Sequence, residues 1–449
     1  MLNQPRSLES RGNRDLMRDV LIIFAILSSL GFPGNFKMVV GDVTETLFEY
    51  GAFAAELAVM FIYSGDSLLD FKIIQLKSRN LFIYLMILGI FTETILVANS
   101  KPAAFITVLR FAALGSFALW MSDHFSMKEG LRYLMRAETI FVVFTLLFTV
   151  LKPGRAFYST NQVHGAFRGL DDAKNSCGFH FSMMITMNAM LLKLQMMDRE
   201  EIRSGQLLLL GIQSLLLVLC QATGALLTAA VAVVFIFKFS DRRIPIGWIY
   251  CLGNIGWLLF AYNLLPMIAP ILEAMGKDAT LTGRTYMWNA VLELMLSRNT
   301  LTGFGFGRFW VEPKNYTLIQ SMFDENSFWG QATFGAHNAT LELWLNVGLI
   351  GIALMYLAVL ISSRKIRTLK QGPYMFICCI LFFLFISGLT ERIFDNKNYK
   401  TLLFFYALAL GCDRPRKQDH LFSWQKTKIA EQKTESLAAN RIESGRNGR

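Results

Sequence analysis

Apolar residues fall in repeated runs along this chain, separated by short polar segments. Crossing ~30 Å of hydrocarbon takes about 20 residues of helix, and runs approaching that length recur between Asp19 and Gly411. In the first half they are Val20–Leu30, Leu47–Tyr63, Leu81–Val97, Phe105–Trp120, Thr139–Leu151 and Gly178–Met197. The second half adds Leu207–Cys220, Ala225–Phe239, Ile244–Leu264, Thr340–Ile361, Tyr374–Leu389 and the short, marginal Leu402–Leu410. The pattern predicts an all-α polytopic membrane helix bundle of about 12 transmembrane helices. Met1–Asp19 is polar and charged, and the first run leads into Gly-Phe-Pro-Gly, so the first helix is expected to stay as an anchor.

Composition agrees. Of 449 residues, 53% are hydrophobic and 17% charged, a balance a water-soluble domain has no means to hide. The formal charge of +11 raises the question of nucleic acid, which the placement of the charges answers. Basic residues fall on alternate segments: Arg6, Arg11, Arg14 and Arg18; Lys72, Lys77 and Arg79; Lys128, Arg132 and Arg136; Lys193, Arg199 and Arg203. Lys238, Arg242 and Arg243, then Arg364, Lys365, Arg367 and Lys370, and a basic tail continue the series. Positive charge on cytoplasmic segments and anionic lipid account for this pattern, and no nucleic acid is needed. The cysteines show neither a disulfide framework nor metal-ligand spacing, and no metal is expected.

With the N-terminus inside, the organisation is a cytoplasmic segment 1–18, a transmembrane bundle 19–411 and a cytoplasmic basic tail 412–449. Two outside loops are long, 152–177 and 265–339, and function tends to collect in such loops. The second is expected to be partly helical, with Tyr286–Ser297 as an amphipathic stretch against the membrane surface. It carries Gly283-Arg284-Thr285-Tyr286-Met287-Trp288, then Gly303-Phe304-Gly305-Phe306-Gly307, then His337-Asn338 before the next span. The glycine run either brings backbone N–H groups close to an anion or is a turn with two membrane-dipping phenylalanines. It lacks the Gly-Lys-Ser/Thr of a nucleotide phosphate loop.

This order resembles the O-antigen ligase and O-antigen polymerase superfamily, whose members share a long periplasmic loop ending in His-Asn. Arg168-Gly169 followed by Lys174-Asn175 and Gly178 is similar to that family's first outside loop, and Gly348-Leu349-Ile350-Gly351 to its glycine pair after His-Asn. Leu389-Thr390-Glu391 resembles the Thr-Glu before the last helix, while Gln221-Ala222-Thr223 departs from the family's basic residue before Ser/Thr. The resemblance covers roughly Lys152 to Tyr399 and leans toward exopolysaccharide repeat-unit polymerases.

It implies a bacterial inner-membrane glycosyltransferase that works at the periplasmic face, inverting, without metal or cofactor. Its partners would be a lipid-linked oligosaccharide donor on undecaprenyl diphosphate, a glycan acceptor and a chain-length regulator. Chemistry gives each residue type a reason. Arg284, with Arg168 and Lys174, would grip the phosphate whose negative charge grows as the glycosidic bond breaks. His337 would take the proton of the acceptor hydroxyl. Asn338 would orient the imidazole or the acceptor, Asn175 belongs to the substrate-binding set, and Glu391 would pair with an arginine or tune the histidine.

Taken singly, each residue has a plainer reading: His337 as a cap or surface residue, Arg284, Arg168 and Lys174 as headgroup anchors, Glu391 as a local partner of Arg392. Glu56, Glu93 and Arg110, inside spans, either line a lipid-donor cleft or lock helices together. Three functions stay open: repeat-unit polymerase, ligase onto lipid A core, and polysaccharide flippase or transporter. The flippase would place its polar groups near the midplane and show repeated halves.

Overall fold

The computed structural model describes residues 8–30, 42–63, 80–158, 165–171, 173–239, 242–264, 267, 270, 283–325, 327, 335–395 and 398–411. Gly31-Phe32-Pro33-Gly34, the basic stretch with Lys72, Lys77 and Arg79, and the tail 412–449 lie outside the described residues, as does most of 265–282. Among the described residues all regular structure is helical; one isolated bridge pairs Phe157 with Phe167.

The helices are α1 (Leu8–Ser29), α2 (Asp42–Tyr63), α3 (Leu81–Val97), α4 (Lys101–His124), α5 (Met127–Leu151) and the single turn α6 (Pro153–Ala156). Next come α7 (Lys174–Asp198), α8 (Ser204–Leu219), α9 (Thr223–Lys238) and α10 (Ile246–Leu259), which closes in a π turn at Phe260–Leu264. Two shorter helices, α11 (Arg284–Ser297) and α12 (Pro313–Gln320), precede α13 (Ala339–Ile366), α14 (Gln371–Gly388) and α15 (Tyr399–Gly411). Among the described residues, four segments are long and apolar enough to cross a membrane: α4, α5, residues 339–364 of α13, and α14. α3, α8, α9, α15 and the second part of α2 are apolar but shorter.

The bundle is built around α15. All thirteen of its residues are buried, against α4, α13 and α14 with α1 and α3 alongside. A helix that is apolar nearly all round is covered either by lipid or by other helices, and this one is covered by helices. Its shortness made Leu402–Leu410 look marginal by hydropathy, yet it is the centre of the packing. α5 begins at Met127, set by a Ser126–Glu129 capping box, so Lys128, Arg132 and Arg136 ride on a helix and not in a loop.

The connections at one end of the bundle are stitched together by hydrogen bonds. Asn99 Nδ2 donates to Glu312 (2.9 Å), Phe167 N to the Leu219 carbonyl (2.8 Å), and Trp257 Nε1 to the Leu389 carbonyl (2.9 Å). At the other end Lys128 pairs with Asp198 and Glu200, Arg243 donates to the Leu369 carbonyl (3.0 Å), and the Tyr374 hydroxyl to the Arg242 carbonyl (2.8 Å). The residues that the charge pattern assigns to the inside are therefore concentrated away from the end that carries Arg284, His337 and Glu391.

α13 is broken at Gly348, whose backbone (φ 58°, ψ −170°) leaves the helical region. The break would leave helix carbonyls unpaired in an apolar setting, at a cost of several kcal/mol each. The glycine run fills the gap: Phe304 N donates to the Leu345 carbonyl (2.8 Å) and Gly305 N to the Asn346 carbonyl (2.9 Å). A Cβ on Gly303 would come within 2.7 Å of Gly348 N, and one on Gly348 would overlap the Leu301 carbonyl. Phe306 N and Gly307 N bond to Thr94 Oγ1 and Asn346 Oδ1, both at 3.0 Å. These amides are committed to protein and not to an anion, and Phe304 and Phe306 are buried in the core instead of dipping into lipid.

Candidate active site

Three segments meet on one carboxylate. The first is the start of α11, where Gly283 takes the left-handed conformation (φ 79°) that admits Arg284 as the first helical residue. The second is the turn before α13, where His337 itself has φ 47°. A non-glycine residue held there costs roughly 1–2 kcal/mol unless its surroundings fix it. Here Ala336 is fixed on both sides: its carbonyl accepts from Trp288 Nε1 (2.8 Å) and its N–H donates to Glu342 Oε2 (2.8 Å). The third segment is the loop after α14, which carries Glu391.

Arg284 Nη2 bonds Glu391 Oε1 at 2.9 Å while Nη1 donates to the Thr390 carbonyl at 2.8 Å. His337 Nδ1 lies 3.3 Å from Glu391 Oε2. The two Glu391 oxygens thus face different partners, Arg284 and His337. Its side chain is 13% exposed against 31% for His337, so the imidazole has an open edge and the carboxylate does not. Burial alone would push the Glu391 carboxyl up; the His337 hydrogen bond and the charges of His337, Arg284 and Lys400 outweigh it and hold the carboxyl below its ordinary value.

Asn338 is held by hydrogen bonds on both sides of its amide. Its Oδ1 accepts from the N–H groups of Thr340 and Leu341, both at 3.0 Å, capping α13, and its Nδ2 donates to the Leu389 carbonyl at 3.1 Å. It is 1% exposed, and these bonds make it a staple between the His337 turn and the Glu391 loop.

The proposed anion clamp is not assembled by direct contact. Arg168 Nε donates to the Arg155 carbonyl (2.7 Å) and its guanidinium stacks over the Tyr158 ring (4.8 Å). Lys174, first residue of α7, reaches the Gln221 carbonyl at 3.2 Å. Asn175 follows it, partly exposed at the mouth of the same helix. Gln221 has φ 51°, and a Cβ on Gly178 would come within 2.7 Å of the Ala222 Cβ, so a long side chain at 222 has little room toward α7.

A cavity of about 200 Å³ opens between the start of α7 and the Glu391 loop. Glu391, Arg392, Asp395, Asn398 and Lys400 line one side, Asp171, Ser176, Phe179 and His180 the other, with Ser29 of α1. His180 Nδ1 lies 3.1 Å from Asp171 Oδ2, a second carboxylate–imidazole pair. Sequence reasoning missed Asp171, His180, Arg392 and Lys400. The available signal was the presence of ionisable groups at the edges of otherwise apolar stretches, which in a membrane protein points to function.

Comparison with known proteins follows the same lines. Residues 207–357 match the family described as O-antigen ligase, a span that includes Arg284, His337 and Asn338 but not Arg168, Lys174, Asn175 or Glu391. Over 85 residues the chain is 36% identical to the exopolysaccharide production protein ExoQ of Rhizobium meliloti (strain 1021), a match spanning 19% of each protein. No solved structure matches the chain.

Proposed function

From the O-antigen ligase and polymerase superfamily, which both sequence matches support, and from apolar helices that fit a multi-pass bacterial membrane protein, we propose a glycosyltransferase working at the periplasmic face. It joins glycan repeat units carried on polyprenyl diphosphate into a surface polysaccharide. The observation that carries this reading is the pair of contacts on Glu391, His337 on one oxygen and Arg284 on the other.

A carboxylate facing Nδ1 fixes the imidazole in the tautomer that carries its proton on that nitrogen. Nε2 is then the free base. It takes the proton of an acceptor hydroxyl as that oxygen attacks the anomeric carbon. The glycosidic C–O bond breaks on the opposite face, and polyprenyl diphosphate leaves with the electron pair. One displacement inverts the anomeric centre. Glu391 acts as a positioning residue, stabilising the imidazolium that forms, and Arg284 holds Glu391 in place beside the growing phosphate charge. No metal enters this scheme. A chain-length regulator is the expected protein partner.

The ligase reading stands beside the polymerase reading because the matched family is described as O-antigen ligase, whereas the curated relative is named for exopolysaccharide production. Purified protein incubated with a defined polyprenyl-diphosphate glycan separates them. Lengthening of the lipid-linked glycan in the absence of lipid A core is the expected result. Product formed only when lipid A core is added would establish the ligase, and no product in either mixture would remove both.

A further inference from the structure

The cavity beside Glu391 is unevenly satisfied. Its acids have partners: Asp171 is bonded to His180 at 3.1 Å, Glu391 to Arg284 and His337, and Asp395 interacts within the chain. Its lysine is less well satisfied. Lys400 is 8% exposed, yet its ammonium, with three donors to place, makes a single long hydrogen bond, 3.4 Å to the Arg392 carbonyl, and otherwise sits 4.8 Å from the Phe179 ring centre. The Arg392 side chain, exposed and with Asp395, Glu342 and Glu391 as its acidic neighbours, lines the same cavity. A buried ammonium without acceptors is costly, whereas the same group prepositioned against a bound oxyanion is not. His180, with Nδ1 on Asp171, also lines the cavity. Ser176 adds a hydroxyl and Asn398 an amide.

We propose that this cavity is an oxyanion subsite in which Lys400, Arg392 and His180 receive one phosphate or carboxylate group of the substrate, beside the residue whose carboxylate holds His337. The proposal rests on the sugar-transfer reading for the identity of the ligand but not for its existence. Two sources supply the chemistry, the diphosphate of the lipid carrier and the carboxylate of an acidic sugar. The site lies on a different set of side chains from Arg168 and Lys174, and it gives a reason for a lysine in the first turn of the fully buried helix α15.

The test is titration calorimetry on full-length protein in detergent, with inorganic pyrophosphate and with glucuronate as separate probes, and glucose as the uncharged control. One pyrophosphate or one glucuronate should bind per chain, and glucose should not. Lys400→Met should weaken binding at least tenfold while its thermal unfolding stays cooperative, and Arg392→Gln, less buried in consequence, should weaken it in the same direction. His337→Ala should leave this binding in place, which separates the subsite from the transfer reaction. Preference for pyrophosphate assigns the carrier diphosphate, preference for glucuronate an acidic sugar. Equal binding by wild type and both cavity variants, or no binding of either anion, would overturn the proposal.

Discussion

At the scale of single residues the account turns on Glu391, because it touches both His337 and Arg284. Its carboxyl is held below the ordinary carboxylate value of 4.5, so the unfolded chain binds the proton more tightly than the folded one. The stability that follows is fully present above that value and is lost as pH falls through the depressed one. Glu391→Gln keeps the shape and removes the charge, leaving Arg284 short of its anion. We expect it to lower stability at neutral pH by about 1–3 kcal/mol and to flatten the acid limb of a melting-temperature profile in detergent. A profile parallel to that of the wild type would show that the contacts on Glu391 contribute nothing to the fold. Arg284, His337 and Glu391 were legible in the sequence through the order of motifs, since each stands in a short polar segment between apolar runs. Lys400 and His180 were not, because each begins or interrupts an apolar stretch, where hydropathy averages a single polar side chain away. Asn338 was legible as a position, and Asn before an apolar run is also the signature of the helix cap it forms.

At the scale of elements, the glycines of 303–307 and Gly348 form one device. Gly-rich backbone can approach a ligand or another backbone closely, and sequence does not say which. The break in α13 decides it, because carbonyls freed at Leu345 and Asn346 need donors and the Phe304 and Gly305 amides supply them. Gly348→Ala asks a left-handed backbone to accept a Cβ that overlaps Leu301, and should cost about 2 kcal/mol or more in reversible or scan-rate-controlled unfolding. An alanine variant as stable as the wild type would mean that the break is not held by this contact. The same reasoning explains α15, which the sequence shows as a short apolar run and the fold shows as the centre of the bundle. Length measures whether a helix can cross a bilayer; it carries no information on whether other helices enclose it.

At the scale of the whole molecule, two chemistries are segregated. Basic residues of alternate segments gather where Lys128 meets Asp198 and Glu200 and where Arg243 meets the α13–α14 connection. His337, Arg284, Glu391 and the cavity with Lys400 gather at the other end. The alternation of charge is legible along the chain, while the meeting on the Glu391 carboxylate of residues 54 and 107 positions away required the fold. The central claim is that an imidazole held by that carboxylate moves the acceptor proton during sugar transfer. Its most direct test is the rate of glycan lengthening by purified His337→Ala against wild type, on the same polyprenyl-diphosphate donor and at equal amounts of folded protein. Loss of a general base predicts a fall of about 10²–10⁴-fold with unfolding unchanged. Lengthening by His337→Ala at the wild-type rate would contradict the account.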